Sequence, residues 1–238
     1  MKTLKLSMLS AALLLAGLTT VKAQTADEVV KKYVDAIGGD KWNSVNSIKV
    51  TSSMVYSGMT MEMTETTVNN KAYRWDMSMS GTNNYTIVTP TEGWSYMPMM
   101  GQSAAEAMKA EDLKGSQEKL DIKKAMHVNL TADAAKTELV GKEKVDDMEC
   151  YNVKITDKDN KVSNLYFDSK NYYLVCVKGK QTVQGQEMEI TQKYSDYQKQ
   201  DNGVLVAMKM EVEGQASATI KSVEINKPID DSVFKPAK

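Results

Sequence analysis

From Ile48 onward the chain alternates apolar and polar residues with a period of two, and this pattern confines it to a large antiparallel sheet. Ile48, Val50, Ser52, Met54 and Tyr56 fall on one side of a first strand, and Ser57-Gly58 turns the chain. Met59, Met61 and Met63 continue the stripe on the return strand, interleaved with Thr60, Glu62 and Thr64. After Asn69-Asn70-Lys71, Tyr73, Trp75, Met77 and Met79 alternate with Arg74, Asp76 and Ser78. Strands at Tyr85–Thr89 and Trp94–Met97 follow. A three-residue turn at 69–71 would set Met63 opposite Met77 and gather the apolar residues on one face. A one-residue slip would scatter them, so the first register is expected. Asn suits the left-handed position of such a turn.

The period changes twice. Thr25-Ala26-Asp27-Glu28 is a capping box, and Val30, Tyr33, Val34 and Ile37 recur at helical spacing before Gly38-Gly39 stops the helix. Residues 103–127 read as short, weakly amphipathic helices, with Ser103 capping a segment that contains Ala104, Ala107 and Met108. The period of two then returns in seven segments between Leu139 and Ile225. Tyr151, Val153, Ile155, Val162, Tyr166, Tyr173, Val175 and Val177 are expected to share a face. The fold class is therefore α+β, mostly β, with about eleven strands in an antiparallel meander. The few helices cannot cover so large a sheet. Either it closes into a barrel, or it stays open with the helices as a lid over an apolar cavity.

Cys150 and Cys176 are the only cysteines. The strand reading puts another strand between them, about 9–10 Å across, beyond the roughly 7 Å reach of a disulfide. Two free, partly buried thiols are expected.

Residues 1–23 read as a cleaved signal peptide. Lys2 and Lys5 precede an uncharged run from Leu6 to Leu18, and Val21-Lys22-Ala23 offers a cleavage site before Gln24. No cysteine follows the cut, so a protein that is soluble, extracytoplasmic and not lipid-anchored is expected, with residues 24–238 forming a single domain. The chain's 30 Lys+Arg balance 31 Asp+Glu, and the predicted signal removes three lysines. Arg74 is the sole arginine. No basic face remains for nucleic acid.

The residues offer no catalytic set. His127 is the one histidine, beside Met126 at a helix end, and is read as a helix-terminal residue. Gly101-Gln102-Ser103-Ala104-Ala105 lacks the second glycine of a nucleophile elbow. Asp157-Lys158-Asp159-Asn160 lacks the remaining ligands of a calcium loop. No enzyme activity, cofactor or metal is expected. Methionine, by contrast, is abundant at 17 residues against 2 phenylalanines, and methionine suits surfaces that mould to variable apolar partners.

Several blocks carry a resemblance: Ala72-Tyr73-Arg74-Trp75-Asp76-Met77, Tyr85–Thr89, Glu92-Gly93-Trp94-Ser95-Tyr96 with Pro98, Gly141–Val145, Cys150-Tyr151, Tyr166-Phe167-Asp168, and Ile225–Phe234 with Pro236. In order and spacing they resemble the periplasmic lipoprotein-carrier family, the LolA-like outer-membrane lipoprotein-sorting proteins of Gram-negative bacteria. The block Tyr33–Gly39 marks a divergent branch. Arg74 lies out of phase with the Met/Trp stripe, so no gating arginine maps onto it.

The resemblance implies a half-open barrel with a helical lid over an apolar inner face. That face would hold the acyl chains of a lipoprotein or another lipid, carried or chaperoned between an inner-membrane donor and an outer-membrane acceptor. Cavity lining is then expected from Met59, Met61, Met63, Tyr73, Trp75, Met77, Met79, Trp94 and Tyr96, joined by Tyr151, Val153, Tyr166 and Tyr173. The lid is expected to contribute Ala104, Met108 and Leu113. The other reading is an envelope structural or interaction module with the same fold and a filled core.

Overall fold

The structure, a computed structural model, describes residues 24–183 and 186–236. The predicted signal peptide lies outside these residues.

Helix α1 spans Ala26–Ala36 and starts with the predicted capping box. Thr25 Oγ1 accepts from Glu28 N at 3.2 Å while Glu28 Oε2 accepts from Thr25 N at 3.0 Å. The helix ends at two left-handed glycines. A Cβ at Gly38 would come within 3.0 Å of the Val204 backbone, so glycine is required by close approach as well as by φ.

Strands β1 (Ser47–Tyr56), β2 (Met59–Val68), β3 (Ala72–Met79), β4 (Thr82–Val88), β5 (Gly93–Tyr96) and β6 (Glu106–Ala107) form the first meander. Helices α2 (Ala110–Ser116) and α3 (Ile122–Ala125), with a 3-10 turn between them, lead to the second meander. It comprises β7 (Ala134–Val145), β8 (Met148–Asp157), β9 (Val162–Asp168), β10 (Leu174–Val183), β11 (Gln186–Lys199), β12 (Leu205–Val212) and β13 (Ala216–Ile225). All thirteen belong to one sheet in the order β6-β5-β4-β3-β2-β1-β13-β12-β11-β10-β9-β8-β7.

The two meanders thus join through their first and last strands, and β6 and β7 are the opposite edges of an open sheet. This topology decides where the lid goes. The chain leaving β6 must cross the sheet to begin β7, and α2 and α3 are that crossing. A twisted sheet of more than about ten strands curls, so the crossing runs over the inner face.

The predicted register at the second turn is found. Met63 pairs with Met77 and Val68 with Ala72, with Asn70 at φ 56. Two expectations change. Among the described residues, thirteen strands replace the roughly eleven anticipated from alternation. Within 103–109 there is also no helix: Glu106–Ala107 pairs with β5, because Met108 N donates to Gly93 O at 2.8 Å and the backbone is drawn onto the sheet edge.

The largest core cluster lies on the inner face and is built around α1. Val29, Val30, Tyr33, Ile37 and Trp42 pack on Val153, Leu165, Phe167, Leu174 and Val204. Trp42 Nε1 donates to Ile37 O at 3.0 Å, and the Tyr33 and Phe167 rings sit 5.3 Å apart. Each such buried side chain contributes about 1.5–3 kcal/mol. Helix α1 therefore fills the inner face of the second meander, while α2 and α3 cover part of the first.

The outer face is also partly covered. Phe234 and Ile229, from the C-terminal segment, pack on Ala72, Tyr85, Ile87, Trp94 and Tyr96. Arg74 fastens this segment by donating to Val233 O at 2.8 Å, and is itself paired with Asp76 at 2.6 Å. The expected free thiols are present and fully buried. Cys150 on β8 and Cys176 on β10 are separated by β9 and belong to a small outer cluster with Tyr166, Val145 and Val175.

Candidate functional site

Between the inner face and the end of the lid is a cavity of about 190 Å³. Its apolar walls are Val50 of β1, Met63 of β2, Ile220 and Ala218 of β13, Met210 of β12, Leu205 and Ile37, with Met126 of the lid above. Polar groups enter it at few points: Ser52, Glu65, His127 and the phenols of Tyr33, Tyr194 and Tyr197.

The inner-face register explains why these residues meet. Ser52 pairs with both Met63 and Ile220, and Val50 with Glu65 and Val223. One level along, Met210 pairs with Ala218, Ala218 with Met54, and Met54 with Met61. This row, with Met59, Met77 and Met79, continues the cavity wall toward the hairpin tips. There the cover stops: Tyr56 and Met59, a cross-strand pair, are each 48% exposed, and Met54, Met77 and Met79 are half-buried. On β11, Asp196 at φ 57 breaks the strict alternation, so Tyr194 and Tyr197, three residues apart, both reach the cavity.

His127 closes the lid end. Its backbone is left-handed, at φ 55, terminating the turn after α3. Its Nε2 lies 3.2 Å from Tyr194 Oη, the two rings meet edge-on, and its carbonyl accepts from Tyr33 Oη at 2.9 Å. Burial, with a smaller push from Lys119, holds the imidazole down at about 4. It is neutral at pH 7. Burial also raises the phenols of Tyr33, Tyr194 and Tyr197 far above their ordinary values. Among the described residues, no group of three or more His, Cys, Asp or Glu is placed to hold a metal ion, and no helix is long and apolar enough to cross a membrane.

The predicted site residues divide. Met63 lines the cavity, and Met59, Met61, Met77 and Met79 extend its wall. Tyr73 and Trp75 lie on the same face but under the lid, against Met108, Leu113 and Leu120. Met108 and Leu113 therefore act as lid contacts, whereas Ala104 is exposed and makes no such contact.

Trp94 and Tyr96 face outward. On β5 the inward positions are Gly93 and Ser95, paired with Val88 and Thr86. Tyr166 also faces outward, with Asn152 and Cys176 as its cross-strand neighbours, and Val175 and Val162 leave the expected face with it. These corrections share a cause. The outer face carries apolar clusters of its own, so an apolar residue there need not look inward. Val153 faces inward but is fully buried beneath α1. Tyr151 stacks on Tyr172, and Tyr173 on Tyr197, beside the cavity without lining it.

Sequence reasoning missed Met54, Met210, Tyr194, Tyr197, His127 and Glu65. The signals for Met54 and Glu65 were present, since Met54 falls in the alternation of the first strand and Glu65 continues the stripe Met59-Met61-Met63 in phase. The others depend on which strands become neighbours across the β1–β13 seam.

A larger recess, about 500 Å³, lies on the outer face beside Arg74, Asp76, Lys49, Glu224 and the C-terminal segment. Four of its charges are paired, Arg74–Asp76 at 2.6 Å and Lys49–Glu224 at 3.7 Å. It offers no continuous apolar wall, and the inner cavity is the better candidate despite its size.

A sequence-family model described as "Uncharacterized protein" matches residues 77–238. The chain belongs to that family. No curated protein matches it. Solved structures identify the fold as LolA-like. A LolA superfamily protein from Nitrosomonas europaea is similar at a TM-score of 0.57 and 14% identity, over 90% of this chain and 98% of that one. A domain from Vibrio parahaemolyticus described as an outer membrane lipoprotein-sorting protein gives 0.55 and 11%, over 87% and 94%. A DUF1329 family protein from Desulfovibrio piger gives 0.53 and 14%, over 88% and 97%. At these identities the likeness is one of fold.

Proposed function

We propose that the protein is a carrier that shelters an acyl chain, of a lipoprotein or another lipid, on the inner face of its sheet. The observation that carries this reading is the methionine-lined surface at Met54, Met59, Met77 and Met79. It runs out of the cavity toward the hairpin tips, where Met59 is 48% exposed and Met54, Met77 and Met79 are half-buried. Methionine adapts its shape to flexible chains, and each methylene removed from water contributes about 0.8 kcal/mol.

The cavity of about 190 Å³ is below the roughly 300–1,000 Å³ of sites that enclose a small molecule. Loading therefore displaces the lid, whose Leu113 and Leu120 lie against the inner face at Tyr73 and Trp75. A site of export for such a carrier is the periplasm, with residues 1–23 as its signal peptide, residues 24–238 as a single lipid-binding domain, and a membrane donor and acceptor as partners.

The small cavity also favours a second reading, an envelope module whose α1-filled core needs no guest. Native mass spectrometry of protein purified gently from its own envelope, followed by lipid extraction, separates the two. Bound mass in the acyl-lipid range supports the carrier. A clean apo mass that persists after incubation with membrane extract overturns it in favour of the module.

A further inference from the structure

Glu65 is the single carboxylate among the cavity's lining residues, and no lining residue supplies a cation to match it. His127 is neutral at pH 7, and the remaining polar groups are Ser52 and three phenols. Among the described residues Glu65 makes no ion pair. It accepts one hydrogen bond, from Tyr73 Oη to Oε2 at 3.3 Å, and Oε1 accepts none. Its cross-strand neighbours are Val50 and Trp75, both uncharged.

Glu65 is half-buried, and a carboxylate that faces an apolar recess without a cationic partner attracts a positive charge there. Glu65 stands beside Met63, where the methionine surface begins, and Trp75 and Tyr73 flank it. A carboxylate with no cationic partner in an apolar channel forms a site for an alkylammonium head, held by charge.

We propose that the cavity selects amphiphiles with a cationic head group, the ammonium at Glu65 and the chain running along Met63 and Met61 toward the hairpin tips. This deepens the carrier reading and rests on it. It separates the protein from one that recognises only the chain, because a fatty acid or a phosphate head would meet Glu65 as a like charge.

The test uses three probes with one chain length, below their micelle concentrations: dodecyltrimethylammonium, dodecyl maltoside and dodecyl sulfate. Binding is measured by calorimetry on the wild type, on Glu65→Gln, and on Glu62→Gln, which alters an exposed carboxylate on the opposite face of the same strand. The expected wild-type ranking is cationic over neutral over anionic, with about tenfold or more between the extremes. Glu65→Gln should shrink that gap to about twofold, and Glu62→Gln should leave it intact.

Equal binding of the three probes by the wild type overturns the head-group proposal and leaves the carrier standing. A preference that survives Glu65→Gln overturns the assignment to this residue. Binding of none of the probes overturns the carrier reading itself. The wild-type ranking needs no variant, so a misfolded substitution does not shield the proposal.

Discussion

The phenol of Tyr33 donates to the carbonyl of His127 at 2.9 Å, tying helix α1 to the end of the lid. The two elements come from distant parts of the chain, and this bond, with Tyr33 almost wholly buried, holds the lid end against α1.

Removing the bond should loosen the lid while sparing the sheet. Tyr33→Phe keeps the ring against Phe167 and deletes one hydrogen bond, a loss of about 0.5–1.5 kcal/mol. Amide exchange should quicken across 117–130 and stay slow in β8–β10. Uniform acceleration over the whole chain would mean that Tyr33 holds the core and not the lid.

Gly93 and Met108 form the lid's other hinge contact. A Cβ at position 93 would come within 2.6 Å of Met108 Sδ and 3.1 Å of Leu113 Cδ1. Gly93→Val should destabilise the protein by about 1–3 kcal/mol through overpacking. Met108→Ala in the same chain should recover part of the loss. Additive effects in a double-mutant cycle under urea would disprove the contact.

His127 gives a pH signature with a definite sign. Its folded value, about 4, lies below the ordinary 6.5 because burial disfavours the imidazolium. The unfolded chain therefore binds a proton more readily. The stability contribution is complete well above pH 6.5 and falls as pH drops toward 4, by at most about 3 kcal/mol. Below pH 4 both states are protonated and no further loss follows. As the sole histidine, it gives one imidazole resonance by NMR. Titration near 6.5 in the folded protein would refute the burial.

Met77→Asp places a charge on the uncovered part of the inner face, opposite Met63. Because Met77 is only half-buried, the fold should persist with a modest loss of stability, while co-purifying lipid should disappear. A folded variant that still carries lipid would show that the bound chain does not run along Met77.

Both thiols should be inert in the native state. Cys150 and Cys176 are fully buried, and burial pushes Cys150 up to about 11 and Cys176 above its ordinary value, so thiolate is scarce at neutral pH. Modification by a thiol reagent should follow unfolding. Prompt labelling at pH 8 would show that the β7–β10 edge opens.

The alternation from Ile48 to Tyr56 and the stripe Met59-Met61-Met63 were enough to establish an antiparallel sheet, its first turns and the Met63–Met77 register. Thr25 and Glu28 likewise specified the start of α1. These features depend on neighbours within a few residues or on adjacent strands, where backbone geometry and a period of two leave one solution. Alternation also separates two faces, but it does not say which is inner. Trp94 and Tyr96 look like members of the methionine stripe until the C-terminal segment, with Phe234, is seen to cover the opposite side.

The cavity belongs to the tertiary structure. Glu65, His127, Tyr194 and Ile220 meet because β1 pairs with β13 and because the chain between the two sheet edges must cross the inner face. The sequence by itself determined the strands and their local register, since those follow from short-range sterics and patterning. Only the fold decided which strands became neighbours at the seam, and hence which charge stands inside the apolar channel.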